Sequence, residues 1–228
     1  MTGVLAAYTL VVPRSVSPSK LQTRAVIPNG VPCPSLKVTD GSGRTVSVAM
    51  TKRVPAATTM SAFASLRACE ASVPKGATSA AVGGQTVPAA LPARIDRIAL
   101  FGDTGCRVDE DLHQDCASPT GWPLARNSKA IAKDEPDLVI FTGDFYYRED
   151  RCGVTPAFPD PRNPDPSVIN KCGGSPEPDP LARFKDTDYG WMADAFIPMS
   201  PLLSRAPILA IRGNHEECAR AGNGWFLF

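Results

Sequence analysis

The sequence predicts an α/β protein, a mainly parallel sheet covered by helices and preceded by a small β-sandwich-like domain. Three observations carry this prediction. From Ile95 onward short apolar runs alternate with helical stripes, the grammar of a sheet with packed helices. Between residues 31 and 92 charge is sparse and hairpin signatures recur. The 228 residues contain 23 prolines, about twice the average usage of ~5%, which excludes long helical bundles and coiled coils. A hydrophobic fraction of 43% is enough for a buried core and too much for an intrinsically disordered chain. Lys+Arg 24 against Asp+Glu 23 indicates neither a nucleic-acid partner nor an anionic membrane surface. No stretch approaches the ~20 apolar residues that span a bilayer.

Taken in order, residues 1–30 read as a poorly ordered lead-in. Within them Leu5–Val12 is a weak apolar run with no basic residue before it, at best the remnant of a secretion signal. Residues 31–92 form the β-rich accessory domain. Leu36 and Val38 alternate with polar neighbours, Asp40-Gly41-Ser42-Gly43 is a turn cluster, and Val46, Val48 and Met50 alternate again, which is a hairpin. A second hairpin runs Ala77–Val82, Gly83-Gly84, Gln85-Thr86-Val87. The alternative is a loose extension packed on the main domain. Val87–Ala93, rich in proline and alanine, is the expected linker.

In residues 95–228 the runs Ile95–Phe101, Asp137–Phe141 and Ile208–Ile211 are expected strands, continuously apolar as strands buried on both faces are. Leu124, Ala125, Ser128, Ile131 and Ala132 share one helix face, and Tyr189, Met192, Ala193 and Phe196 share another. The final Trp225-Phe226-Leu227-Phe228 reads as a strand cut short.

Seven cysteines in a chain of this size suggest an oxidising compartment, and so a secreted or periplasmic protein. None forms C-x-x-C, so zinc ribbons and thioredoxin-type motifs are not expected. Spacing invites the local pairs Cys33–Cys69, Cys106–Cys116 and Cys152–Cys172, leaving Cys218 over. Free buried thiols in a cytosolic protein are the competing reading.

All three apolar runs end in glycine and then an oxygen-bearing side chain: Gly102-Asp103, Gly143-Asp144 and Gly213-Asn214. Ligands of open α/β sheets collect at the carboxyl ends of strands, so these side chains are expected to converge. Two carboxylates and an amide oxygen crowded together repel unless cations neutralise them, and hard metal ions prefer such donors. A lone Gly-Asp after a strand is more often a capped turn; three in order, the last continuing into His215-Glu216, are not.

Gly102-Asp103-Thr104-Gly105, Gly143-Asp144-Phe145-Tyr146-Tyr147 and Gly213-Asn214-His215-Glu216 resemble the first three metal motifs of the calcineurin-like metallophosphoesterases. Gly105 stands where most of that superfamily has histidine, and Tyr147 sits three residues after Asp144, as in the purple acid phosphatase branch. The resemblance covers roughly Ile95 to Phe228. Cys106, Cys116 and the ending from Cys218 onward are similar to secreted bacterial members, many of which carry an accessory β domain in front. It implies an incomplete metallophosphoesterase αββα sandwich. It also implies two metal ions, iron plus zinc, manganese or a second iron, and a phosphate ester substrate. Asp103 and Tyr147 would bind the first ion, Asp144 would bridge, and Asn214 would bind the second. His215 would serve catalysis off the metals.

Arg148 and Arg212 flank these motifs as candidates for binding phosphate, although a plain ion pair with a neighbouring aspartate is the favoured reading for both. His113 is expected in a solvated loop, and Glu216 is expected to hold a neighbouring group in place. The stretch between Arg151 and Pro180, with eight prolines, reads as a loop stapled by Cys152–Cys172 that overhangs the site. The family's later motifs add three histidines, whereas this chain has only His113 and His215. The expectation is therefore a truncated or frameshifted enzyme with impaired chemistry, or an inactive module that keeps the scaffold. G-x-x-x-x-G-K-[ST], G-x-G-x-x-G and G-x-S-x-G are absent, which argues against nucleotide-binding and Ser-His-Asp readings.

Overall fold

A computed structural model describes residues 3–54, 63–109, 112–149, 153, 155–160, 165–167, 171 and 186–228. The strands are β1 (Ala6–Val11), β2 (Leu21–Pro28), β3 (Ser35–Asp40), β4 (Thr45–Ala49), β5 (Thr51–Lys52), β6 (Leu66–Ser72), β7 (Ala77–Val82), β8 (Gln85–Val87), β9 (Ile98–Phe101), β10 (Leu138–Phe141) and β11 (Ile208–Ala210). Helix α1 (Leu124–Lys133) lies between β9 and β10. Helix α2 (Asp188–Trp191), a π-helical segment Met192–Phe196 and α3 (Ile197–Leu203) precede β11, and α4 (Gly222–Leu227) ends the chain. Among the described residues no helix is long and apolar enough to cross a membrane.

Seven strands form one sheet in the order β5-β6-β2-β1-β11-β10-β9, and four form a second in the order β4-β3-β7-β8. The large sheet changes character at β1. Towards β5 its pairs are antiparallel, while β1-β11, β11-β10 and β10-β9 are parallel. The helices pack on one face of this sheet. Tyr8, Val26, Ala68, Val139, Phe141 and Ile208 meet Trp191, Phe196, Met199 and Leu202 there. On the opposite face Ala7, Ala25, Ile27 and Ala71 meet Leu36, Val38, Ala80 and Val82 of the small sheet. Alternation along β1 thus feeds two cores from one strand.

Both predicted hairpins form, β3 with β4 and β7 with β8, pairing Val38 with Val46 and Val82 with Gln85. Cys33–Cys69 is a disulfide and links the approach to β3 with β6 of the large sheet, so it staples the two sheets together. Cys106–Cys116 is also formed, and Cys218 is an exposed free thiol. The pair Cys152–Cys172 and most of the loop around it lie outside the described residues.

Several expectations are corrected. Residues 6–28 are not a disordered lead-in but supply β1 and β2 in the middle of the large sheet. A strand buried on both faces is continuously apolar, as the core of a secretion signal is, and composition cannot separate them. Ala125 is exposed, outside the buried face of α1. Strands β9 to β11 are covered on one face only: Ile98 is 53% exposed and Leu100 66%. The small sheet lies over β1, β2 and β6, and Ile98, Leu100 and Leu209 of the other strands stay exposed. The final aromatic run is helical, because Asp186 accepts the N–H groups of Asn223 and Gly224 at the start of α4. Leu227 and Phe228 are then buried beside Phe196.

Replacing Cys33 and Cys69 together by alanine should lower unfolding free energy by about 2–4 kcal/mol through the freed unfolded chain. Urea denaturation measures it, and an unchanged midpoint would show that the staple adds nothing.

Candidate metal centre

The carboxyl ends of β9, β10 and β11 are neighbours in the parallel half of the sheet, so the loops that leave them are neighbours too. Backbone bonds join them: Asp103 N–H donates to Gly143 O at 3.0 Å and Thr104 N–H to Asp144 O at 3.0 Å. Asp103 and Asp144 both have positive φ, 61° and 59°, a conformation that costs about 1–3 kcal/mol and persists only where surroundings enforce it. Gly143 has φ 100°, and a side chain there would strike the backbone of Gly213. The second and third loops therefore touch.

Two buried carboxylates do the enforcing. Glu216, 0% exposed, accepts from the N–H groups of Asp144 at 2.8 Å, Gly213 at 3.1 Å, Phe145 at 2.7 Å and Tyr146 at 3.2 Å. Burial raises its pKa, and the bonds from Asp144, Gly213 and Phe145 oppose the rise. Asp194, in the π-helical segment, accepts from Cys106 N–H and Tyr147 N–H, each at 3.2 Å, and pairs with Arg148 Nε at 2.5 Å. Its pKa is also raised by burial, against the pull of Arg148. One carboxylate ties the second loop to the third, and the other ties the first to the second.

Tyr147, held by its backbone on Asp194, donates its hydroxyl to Asp103 Oδ1 and reaches Asp144 Oδ2 at 3.4 Å. Two carboxylates and a phenol thus meet at one point. The phenol pKa is raised, first by burial and then by its bond to Asp103 and the charges of Asp144 and Asp103. The phenolic proton keeps three oxygens from repelling one another, and a cation would replace it while lowering the phenol pKa. This hard-oxygen set suits such an ion. Among the described residues no three His, Cys, Asp or Glu side chains form a metal cluster.

Gly105 explains why the tyrosine is possible. A Cβ at that position would lie 2.5 Å from Tyr147 Cδ2 and 2.6 Å from its backbone nitrogen. A side chain on the first loop and the Tyr147 ring exclude each other.

Asn214 is exposed between Gly213, which abuts Asp144, and His215, whose N–H donates to Asp144 Oδ1 at 2.9 Å. Its own side chain makes no hydrogen bond to Asp103 or Asp144. The His215 ring lies against Tyr147, centroids 3.9 Å apart, and its Nδ1 is 2.5 Å from Glu149 Oε1. That contact is not a well-directed hydrogen bond, since neither atom has a hydrogen-bond partner. Arg220 also pairs with Glu149, at 2.9 Å.

Arg148, 2% exposed, is committed to Asp194 and faces no open site, which removes it as a phosphate ligand. Arg212 is exposed and lies over the Phe226 ring, 6.0 Å from the centroid, rather than in the expected ion pair. His113 is half-buried and accepts from Gly153 N–H at 3.1 Å. Tyr146 is a core residue stacked on Trp191. Sequence reasoning missed Glu149 and Asp194. Glu149 follows Tyr147 by two residues, a signal that was there to read; Asp194 carried none, being placed by a π-helical turn.

An α/β sheet that gathers acidic oxygens at its carboxyl edge places them where the ligands of such sheets bind. The family model described as calcineurin-like phosphoesterase matches residues 96–228, more than half of the chain, and the chain belongs to that family. No curated protein sequence matches it. Among solved structures it is similar to a purple acid phosphatase isolated from yellow lupin (Lupinus luteus) seeds, with 10% identity and a TM-score of 0.48. That match covers 100% of this chain and 39% of the other. It is also similar to PhoD, with 15% identity, a TM-score of 0.42 and coverage of 94% and 39%. The chain spans about 39% of the length of both.

Gly105→Ala should displace Tyr147 and cost about 1–3 kcal/mol, since backbone and ring must both yield; thermal melting and the tyrosine environment in near-ultraviolet circular dichroism report it. Asp194→Ala removes the buried carboxylate that Arg148 and two backbone N–H groups share and should cost about 3–5 kcal/mol in urea denaturation.

Proposed function

We propose that this chain is a metal-dependent phosphoesterase of the acid phosphatase kind, built to hydrolyse phosphate monoesters at a dinuclear centre. The observation that carries the reading is the meeting of the Tyr147 hydroxyl with the carboxylates of Asp103 and Asp144, within the segment that matches the family. Gly105 and Tyr147 together support the purple acid phosphatase-like variant. In this reading Asp103 and Tyr147 hold the first ion, Asp144 bridges, and Asn214 holds the second. The ions are iron plus zinc, manganese or a second iron, as a phenolate donor favours a ferric ion. When bound, two ions neutralise the carboxylates, clamp the substrate phosphate and lower the pKa of water at the site.

The chain's own residues then divide the remaining work. Glu216 and Asp194 keep the three loops in place, so little reorganisation is needed as charge develops. Glu149 takes the Nδ1 side of His215. That leaves Nε2 as the atom that donates a proton to the leaving alcohol, with Glu149 stabilising the imidazolium beforehand. Two disulfides fit a secreted or periplasmic setting.

The chemistry is impaired in this chain. In this reading His215 serves catalysis and His113 accepts from Gly153 N–H, so the proposed ligands Asp103, Asp144, Tyr147 and Asn214 supply oxygen alone. The same observation favours a second reading, an inactive secreted module that retains the scaffold.

Ferric iron added to the purified chain should give a visible tyrosinate-to-iron band that Tyr147→Phe abolishes, while aryl phosphate turnover stays near background. Vigorous turnover that Asp144→Ala removes would refute the impairment. No band, with a melting temperature indifferent to iron and zinc, would leave the inactive module.

A further inference from the structure

Beside Asp103 and Tyr147 opens a cleft of about 400 Å³, lined also by Arg107, Gln114, Trp122 and Leu124, within the size range of small-ligand sites. We propose that this cleft holds the leaving group and selects a flat aromatic one, so that the preferred esters carry phosphate directly on an aromatic ring. The proposal rests on the phosphoesterase reading above.

Trp122 is the reason. Its Nε1–H donates to Thr104 O at 2.8 Å, on the same loop as Asp103. The Arg148 guanidinium stands over the ring, 5.7 Å from its centroid, and is itself fixed by Asp194. The indole also packs against the Cys106–Cys116 disulfide. A hydrogen bond, a buried cation and a covalent staple thus hold one aromatic plate in a single pose. A plate so held loses little entropy when a second ring stacks on it.

Two of the polar groups around it, Arg107 and Gln114, are already occupied. Arg107 pairs with Asp109 at 2.7 Å, which offsets its charge. Gln114 accepts from Arg107 N–H at 2.9 Å and donates to Gly121 O at 2.7 Å. Thr104 Oγ1 is left without a hydrogen-bond partner, and one hydroxyl serves a sugar or a second phosphate poorly, since both need several donors or net positive charge. An uncharged ring needs neither. Because Asp103 and Tyr147 line the same cavity as Trp122, the phosphorus and the ring are adjacent, with no spacer between them.

The test titrates the full 228-residue chain, in excess zinc, with inorganic phosphate, methylphosphonate and phenylphosphonate, by calorimetry and tryptophan emission. Phenylphosphonate should bind about tenfold more tightly than methylphosphonate. Trp122→Leu should bring that ratio to about one, and Trp122→Phe should restore most of it. Should Trp122→Leu fail to fold, proton NMR on the unaltered chain decides: phenyl signals shifted upfield by a stacked indole support the subsite, and unshifted signals overturn it. Equal affinity for the two phosphonates, or a preference that survives Trp122→Leu, overturns the subsite and leaves the phosphoesterase reading standing. No binding of phosphate or either phosphonate overturns both.

Discussion

The structure depends on carboxylates that are buried to hold backbone rather than to meet solvent. Glu216 is the clearest case, fully enclosed and accepting four N–H groups from two loops. Moving an ionised carboxylate out of water costs several kcal/mol after relaxation. Hydrogen bonds to a charged acceptor return about 1.5–3 kcal/mol each, so four donors offset the cost where one would not. Asp194 repeats the device with two N–H groups and Arg148. Asp186 does so at the start of α4, and Asp188 for Ser65 and Leu66 at the start of β6. Each joins segments far apart in sequence. The left-handed conformations of Asp103 and Asp144 persist because the loops on either side are tied down in this way.

The sheet explains why those loops lie side by side. Parallel pairing needs a crossover between strands, and the crossovers here are helical: α1 between β9 and β10, and the α2-to-α3 run between β10 and β11. Every strand of this half therefore leaves its last residue at the same edge. The antiparallel half makes no such edge, because its strands alternate in direction. β1 belongs to both, antiparallel to β2 and parallel to β11. The small sheet, stapled through Cys33–Cys69, anchors the antiparallel half.

Much of this was legible in the sequence, because local signals were strong where they existed. Alternation with a Gly-rich turn announced both hairpins, and three glycines after three apolar runs announced the loops that meet. What was not legible was decided by distant partners. β1 and β2 pair with each other, but their outer neighbours β11 and β6 lie far along the chain, and the apolar run of β1 reads equally well as the core of a secretion signal. The aromatic ending takes helical form only because Asp186 waits some forty residues upstream. The parallel strands look alike on both faces in sequence, yet only one face is covered, and an apolar run cannot announce what packs on it. Asp194 is aimed at two loops by a π-helical turn, a feature frequent at functional sites that no composition predicts.

Gly105 and Tyr147 belong together for two separate physical reasons. Sterically, the phenol ring occupies the space a side chain at position 105 would need. Electrostatically, the hydroxyl lies between Asp103 and Asp144, where its proton separates two anions and where its loss would create a third. With the proton in place the set is stable but closed, since the phenol is held in the neutral form. A cation strong enough to displace that proton gains a three-anion oxygen shell, and the more highly charged the ion, the greater the gain. The absence of a side chain at position 105 therefore makes room for the ring, and the ring brings a third oxygen to the two carboxylates.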